Sequence, residues 1–278
     1  MKIVVCIKQV PDTTEIKLDP VTGTMIRDGV PSIMNPDDKG GLEMALQLKD
    51  KYGAEVTVIT MGPPQANDIL REAFAMGADR AIHLNDRKFA GADTLATSNA
   101  IAGALRVLDF DLVITGRQAI DGDTAQVGPQ VAEKLALPQV TYAEEIQGCD
   151  GKIVTIKRRL ERGIEVATCP MPCVVTVNGS AAPCRPRNAR FVMKYKNAKG
   201  TQEAQDANED YFALVNERPY LKLTEWSVND IQSNPEDLGL SGSPTKVKNI
   251  ESVVFQAKEA KVLSGTDAEL DAMMKELI

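Results

Sequence analysis

The chain has 278 residues, enough for one large domain or for a domain with a long appendage. Hydrophobic residues make up 43% and charged residues 26%, a balance that excludes bulk disorder. The net charge of −7 argues against a nucleic-acid binder, and no apolar run approaches the ~20 residues of a membrane span.

Met1-Lys2-Ile3-Val4-Val5-Cys6 enters a strand-like run at once, with no signal-peptide layout, so the expected compartment is cytoplasmic. Residues 3–7 read as the first strand. Two strand-like pieces, 16–18 and 25–27, then flank the turn signal Asp19-Pro20-Val21-Thr22-Gly23 and predict a small inserted hairpin. A helix is expected over 38–52, where Leu42, Ala45, Leu46 and Lys49 share a stripe. Residues 56–60 form a second strand, 66–76 a helix, and 81–84 a third strand. That strand carries His83, the chain's one histidine, which excludes a multi-histidine metal site and weighs against a histidine-based triad. A helix over 93–108, a strand over 112–115 and a helix over 123–135 complete the alternation. The strands are short and almost wholly apolar, as in a sheet buried on both faces. The predicted class is α/β, with a doubly wound, mostly parallel sheet.

After Pro138 the pattern reads as antiparallel. A hairpin is expected from 144–147 through Gly148-Cys149-Asp150-Gly151 to 152–160, with further strands over 165–168 and 174–177. Cys169-Pro170-Met171-Pro172-Cys173 has the wrong spacing for a zinc knuckle, and its prolines suit an edge strand. Five cysteines, an odd number and scattered, fit a reducing compartment rather than a disulfide framework, and no metal is expected. From Ala181 prolines punctuate a polar stretch, and only 267–277 reads as a sound helix. The expected organisation is therefore an α/β domain over 1–196, followed by an insertion and a C-terminal arm over 197–278 that packs on another subunit.

Neither G-x-G-x-x-G nor the P-loop lysine motif occurs, which removes an ordinary dinucleotide site and a nucleotide-hydrolysing reading. The fourth strand instead runs into Gly116-Arg117-Gln118-Ala119-Ile120-Asp121-Gly122-Asp123-Thr124-Ala125-Gln126-Val127-Gly128. This segment leaves the strand with glycine and enters a helix through small and polar residues, where free amides favour an anion. The two aspartates are assigned to capping, ribose hydroxyls or an adenine amine. Asn35-Pro36-Asp37-Asp38, Met61-Gly62-Pro63-Pro64 and Gly91-Ala92-Asp93-Thr94 open the other helices. Together they outline a crevice at the carboxyl edge of the sheet; an ordinary set of capped loops is the alternative. Between Val166 and Gln202 no acidic residue occurs, while Arg185, Arg187, Arg190, Lys194, Lys196 and Lys199 are basic, with Phe191, Met193 and Tyr195 among them. This reads as a docking stripe for an acidic protein partner or, alternatively, as a solvated loop.

Several long motifs resemble the β subunit of electron transfer flavoprotein. They are Val4-Val5-Cys6-Ile7-Lys8-Gln9-Val10, Gly29-Val30-Pro31-Ser32-Ile33-Met34-Asn35-Pro36, Ala75-Met76-Gly77-Ala78-Asp79-Arg80, the segment 116–130, and 156–165 followed by Pro172-Cys173-Val174-Val175-Thr176. The resemblance covers roughly 1–196 and 224–242, with 197–222 as an insertion. It implies a Rossmann-like, adenine-nucleotide-binding fold that pairs with an α subunit holding an FAD. It implies nucleotide contacts at Cys6, at Asn35, Pro36, Asp37 and Asp38, at Met61, and along Ala119, Ile120, Asp121, Gly122, Asp123, Thr124, Ala125, Gln126, Val127, Gly128 and Gln130; Asp93 and Thr94 join them. In mitochondrial-type members the ligand is AMP, and Ala125 and Val127 replace polar residues found there. Lys8-Gln9-Val10-Pro11-Asp12-Thr13-Thr14, 89–94 and 121–130 are closer to the anaerobic clostridial type. There a second FAD takes the AMP place, accepts hydride from NADH, and splits the electron pair. One electron goes to ferredoxin or flavodoxin, the other through the α-subunit FAD to an acyl-CoA-type dehydrogenase or reductase. Arg187, Arg190, Phe191 and Lys194 fall where the family has its dehydrogenase-recognition loop. No catalytic side chain is expected, because the flavin carries the chemistry.

Overall fold

In the computed structural model, residues 1–12, 17–18, 25–26, 31–205, 207, 209–245 and 262–277 are described. The first half alternates as its patterning predicts. β1 (Lys2–Cys6) is followed by the short strands β2 (Gln9–Pro11), β3 (Lys17–Leu18), β4 (Met25–Ile26) and β5 (Ser32–Met34). Then come α1 (Pro36–Tyr52), β6 (Glu55–Met61), α2 (Asn67–Met76), β7 (Arg80–Leu84), α3 (Thr94–Leu105), β8 (Leu112–Gly116) and α4 (Val127–Lys134). The second half holds β9 (Gln139–Cys149), β10 (Ile153–Leu160), β11 (Gly163–Pro170), β12 (Cys173–Val177), α5 (Ala189–Tyr195), α6 (Thr201–Gln205), α7 (Glu209–Glu217), β13 (Thr224–Trp226) and α8 (Asp267–Leu277). β3 and β4 pair antiparallel, Lys17 opposite Ile26, as the inserted hairpin predicts; Ile16, Arg27 and the turn at 19–23 lie outside the described residues.

One nine-stranded sheet organises the chain, in the order β11-β10-β9-β12-β8-β1-β6-β7-β13. β1 sits between β6 and β8, parallel to both, with Val4 opposite Thr57 and Val113. After β1 the chain builds outward through β6 and β7, then returns to the other side of β1 with β8. A doubly wound sheet opens a crevice at that reversal, outside the carboxyl ends of β1 and β8. Alternate side chains feed two cores. Ile3, Val5, Val56, Val58, Leu112 and Ile114 meet Leu42 and Leu46 of α1 and Leu70 of α2. Val4, Cys6, Ile59, Ile82 and Val113 meet Ile101 and Leu105 of α3 and Val131 of α4.

Three expectations are corrected. The segment after Pro138 is antiparallel only around β10, which pairs antiparallel with β9 and β11. β12 inserts between β8 and β9 and runs parallel to both, because its wholly buried run needs sheet partners on each side. The edge strand β11 ends at Pro170, where a missing amide costs no ladder bond. Helix α4 begins at Val127 rather than at Asp123, since Asp123 and Ala125 have φ of 50° and 51°, left-handed values that a right-handed helix does not accommodate.

The stretch after Ala181 is the third correction, for as far as residue 245 its described residues include α5, α6, α7 and β13 and pack on the rest of the chain. Tyr195 of α5 stacks on Phe74 of α2 with ring centroids 4.4 Å apart. β13 pairs parallel with β7 and becomes the outer strand of the sheet. Leu221, Leu223, Val228, Ile231 and Leu238 are buried against their own chain, as is Tyr211, whose hydroxyl donates to the Leu221 carbonyl at 3.0 Å. Phe212 stays half-exposed. The basic stripe is also narrower than its sequence implies. Arg185 donates to the buried Glu43 through Nε at 2.9 Å and Nη2 at 3.0 Å, and reaches Asp50 at 2.8 Å. It is an internal anchor, not a free surface charge.

Candidate functional site

The crevice is stitched together by two side chains at the start of α1. Asn35 occupies the N-cap position but its side chain makes no cap bond. Its Nδ2 donates to the Gln118 carbonyl at 2.8 Å, and its Oδ1 accepts from the Ile120 amide at 3.1 Å. Asp38 accepts from the Lys8 amide at 2.8 Å and the Gly116 amide at 3.1 Å. The ends of β1 and β8 are thus fastened to α1. Gly116 is obligatory there, because a Cβ would lie 2.2 Å from Asp38 Oδ1. Burial pushes the Asp38 carboxyl up to about 7, against the Asn35, Lys8 and Gly116 donors. Cys6 beside it is pushed up to about 12 by burial, so its sulfur is a packed thiol rather than a reactive thiolate.

The loop from Arg117 to Gln126 is braced across its width. Lys8 Nζ binds both Asp121 oxygens, at 2.7 and 2.8 Å. Gln118 Nε2 donates to Asp123 at 2.9 Å, and Thr94 Oγ1 donates to Gln126 Oε1 at 2.8 Å. Asp93 caps α3 by accepting from the Ala96 amide at 3.0 Å, and accepts also from the Thr245 amide at 3.1 Å. The next helix, α4, has no side-chain cap at Gln126. In its first turn Pro129 has no amide hydrogen, and the Gln130 amide donates to the Gln126 carbonyl at 3.0 Å, so the Val127 and Gly128 amides are the ones an acceptor could meet. Gly128 lets that turn sit directly on β8 and β12: a Cβ would be 2.6 Å from Thr115 Oγ1 and 2.7 Å from Thr176 Cγ2.

Between these loops lies a cleft of about 350 Å³, within the range of ~300–1,000 Å³ usual for small-molecule sites. Of the expected contacts, Cys6, Asp38, Met61, Asp93, Thr94, Ala119, Gly122, Thr124, Ala125, Gln126, Val127 and Gly128 line it. Asn35, Pro36, Asp37, Ile120, Asp121, Asp123 and Gln130 are outside the lining. Asn35, Asp121 and Asp123 brace the loop instead, and Asp37 lies 3.6 Å from Arg117 Nε. Ile7, Lys8, Ile59, Thr60, Ala92, Thr97, Ile101, Gly116, Arg117 and Gln118 also line the cleft. Most of these flank the expected motifs by one or two positions; only Thr97 and Ile101, at turn spacing along α3 from Asp93 and Thr94, carry a signal of their own. The apolar walls, the Val127 and Gly128 amides and the buried hydroxyl of Thr60, unpartnered among the described residues, fit a nucleotide's flat base and anionic phosphate.

The chain matches the model of the electron transfer flavoprotein domain over residues 22–209. It belongs to the electron transfer flavoprotein family. Its similarity runs over nearly the whole length of β subunits: it is 46% identical over 276 residues to "Electron transfer flavoprotein subunit beta" of Clostridium acetobutylicum, covering 99% of this chain and 94% of that one. It is 49% identical over 249 residues to "Caffeyl-CoA reductase-Etf complex subunit CarD" of Acetobacterium woodii, covering 89% and 86%. It is 41% identical over 286 residues to "Protein FixA" of Rhizobium meliloti, covering 100% and 90%. The chain is a β subunit of the family, resembling its anaerobic, clostridial-type members. Among the described residues, no helix of this family member is long and apolar enough to cross a membrane.

The expected docking residues gather on and just before α5. Arg187, Arg190 and Lys194 are exposed and Phe191 is half-buried. Lys194 Nζ stands 4.7 Å from the Tyr195 ring centroid and 4.8 Å from that of Tyr220. Met193, 65% exposed, is the most accessible apolar side chain of the helix.

Proposed function

We propose that this β subunit binds FAD in the cleft, takes hydride from NADH, and divides the electron pair between ferredoxin or flavodoxin and, through the FAD of an α subunit, an acyl-CoA-type dehydrogenase. The observation that carries this is the cleft at the reversal of strand order, closed by the open first turn of α4. The identity to a subunit of a caffeyl-CoA reductase–Etf complex favours FAD over AMP. When bound, the flavin supplies all the redox chemistry. The chain's residues position and shield: Cys6, Ile59, Met61 and Ile101 offer an apolar floor, the α4 amides an anion seat, and the Lys8–Asp121 bridge a tie across the loops. Counting nucleotides in the purified αβ heterodimer tests the proposal. Two FAD and no AMP are expected; one FAD with one AMP would replace it with a carrier holding a structural nucleotide.

Thr124 lines the cleft and Asp123 braces its loop. The double change Asp123→Ala and Thr124→Val is therefore expected to lower flavin content after dialysis, and full retention would remove the loop from the binding site. The partner surfaces are proposed on separate features. α8 presents Leu270 and Met274, 41% and 50% exposed, four residues apart on one helical face, and we assign this helix, rather than the whole of 197–278, to the α subunit. α5 is assigned to the dehydrogenase. Reversing charge at Arg190 and Lys194 is expected to slow interprotein electron transfer most at low salt, where screening is weakest. Phe191→Ala is expected to weaken the complex with little salt dependence, because an apolar anchor acts through burial. Stopped-flow transfer rates at two ionic strengths read both; unchanged rates would make α5 a solvated face.

A further inference from the structure

Four charged groups around the start of α1 form two pairs. Lys8, from the loop after β1, is held by Asp121 from the loop after β8. Arg117, also after β8, lies 3.6 Å from Asp37 of α1. The next cation along α1, Lys39, reaches away to Glu72 of α2 at 2.9 Å. Asp38 is left over. It is buried, it lines the cleft, and its bonds come from backbone amides and the Asn35 side chain rather than from any cation. On the far wall Asp93 also faces the cleft. Burial raises its carboxyl, but the Thr245 hydroxyl and the Ala96 amide outweigh that and hold it below the usual carboxylate range.

We propose that binding an anionic dinucleotide in the cleft is coupled to uptake of one proton by Asp38, so that this side chain makes nucleotide affinity depend on pH. The inference rests on the nucleotide reading of the cleft. An ionised, unneutralised carboxylate repels a pyrophosphate brought into the same cleft, and the burial of Asp38 weakens the screening of that repulsion. Protonating it removes the repulsion. The sign is set by the free protein, in which the Asp38 carboxyl titrates at about 7. Below that value it is already protonated and binding takes up nothing. Above it, the bound anion raises the value further and each binding event draws in a proton. Affinity then falls with rising pH, by at most about tenfold per unit, until the bound form also ionises. Cys6 stays protonated and Asp93 stays ionised across this window; burial also raises the adjacent Asp37 carboxyl, against the Arg117 guanidinium, so a variant of Asp38 is what assigns the proton.

FAD is the probe of choice, because its pyrophosphate diester keeps a constant charge between about pH 5.5 and 8.5. Nucleotide-stripped αβ heterodimer is titrated with FAD and with adenosine, calorimetrically, in buffers of differing ionisation enthalpy. The expected result is about 0.7 proton taken up per FAD at about pH 7.5, almost none at about pH 5.5, a dissociation constant for FAD that rises with pH, and one for adenosine that does not. Asp38→Asn keeps the side chain's shape and one acceptor oxygen, and is expected to abolish the uptake. If that variant does not fold, Asp37→Asn, a change outside the cleft lining, takes its place: uptake that persists there stays with Asp38, and uptake that vanishes there overturns the assignment. FAD binding without proton uptake and with level affinity overturns the coupling while leaving the flavin site standing; so does uptake that persists in Asp38→Asn. Failure of FAD to bind at any pH overturns the flavin reading and the coupling together.

Discussion

Replacing Gly128 with valine is expected to cost about 3 kcal/mol or more in stability and to empty the cleft. The first β-carbon alone would stand 2.6 Å from Thr115 Oγ1 and 2.7 Å from Thr176 Cγ2, and two further methyls have nowhere to go. Overpacking of this kind costs ~1–3 kcal/mol where neighbours yield, but β8 and β12 are interior strands buried along their whole length. The helix must instead lift, carrying the first turn of α4 away from the loops that face it. A melting temperature lower by about 6–12 °C is expected for a chain of this size, together with loss of bound nucleotide. Gly122 makes the control: in the same loop, a Cβ there meets nothing within 4 Å, so Gly122→Ala should melt normally. Equal melting of Gly128→Val and wild type would show that the helix is not seated on the sheet.

Arg185→Ala is expected to destabilise by about 2–4 kcal/mol while leaving the salt dependence of partner encounter unchanged. The buried Glu43 carboxylate would keep only the Arg185 backbone amide at 2.9 Å and Gln47 at 3.3 Å, and a buried charge without its counter-ion is costly. The pH dependence is specific. Burial raises the Glu43 carboxyl, but Arg185 outweighs that and holds it below its ordinary value of 4.5. In the native protein this contribution is therefore present above about pH 4.5 and is lost as pH falls through the lower, folded value. Without Arg185, burial dominates and Glu43 prefers its proton, so the deficit is largest at neutral pH and narrows near about pH 4.5. Denaturant midpoints at the two pH values measure it. A uniform deficit would mean that the arginine acts through packing alone.

Where sequence and structure agree, the reason is burial on both faces. Residues 3–7, 56–60, 81–84 and 112–115 are apolar runs too short for helices, and each lies within or overlaps a parallel strand. The final helix over 267–277 is equally legible from its turn spacing. Where they disagree, the deciding partner is distant. Nothing local in Cys173–Val177 distinguishes a strand that inserts parallel between β8 and β9 from one that turns back as a hairpin. α5 is seven residues long, too short for periodicity, and is held by Tyr195 on Phe74, an aromatic contact between residues far apart in the chain. The same holds at the cleft. Its loops are readable from glycine and helix starts, yet the division between lining residues and braces is not. Asp121 and Asp123 look alike in sequence to any ligand-facing acid, and only folding brings Lys8 to the first and Gln118 to the second.

The outermost strand has a consequence for how the molecule is made. β13 pairs Thr224, Glu225 and Trp226 with Ile82, His83 and Leu84, so the edge of β7 stays bare until roughly 140 more residues have left the ribosome. At ~5–20 residues per second, that edge waits on the order of ten seconds during synthesis. An unpaired, apolar parallel edge is a template for unwanted strand addition. Chains halted before Thr224 carry this liability permanently. Premature termination there should yield aggregates rather than a smaller, working subunit.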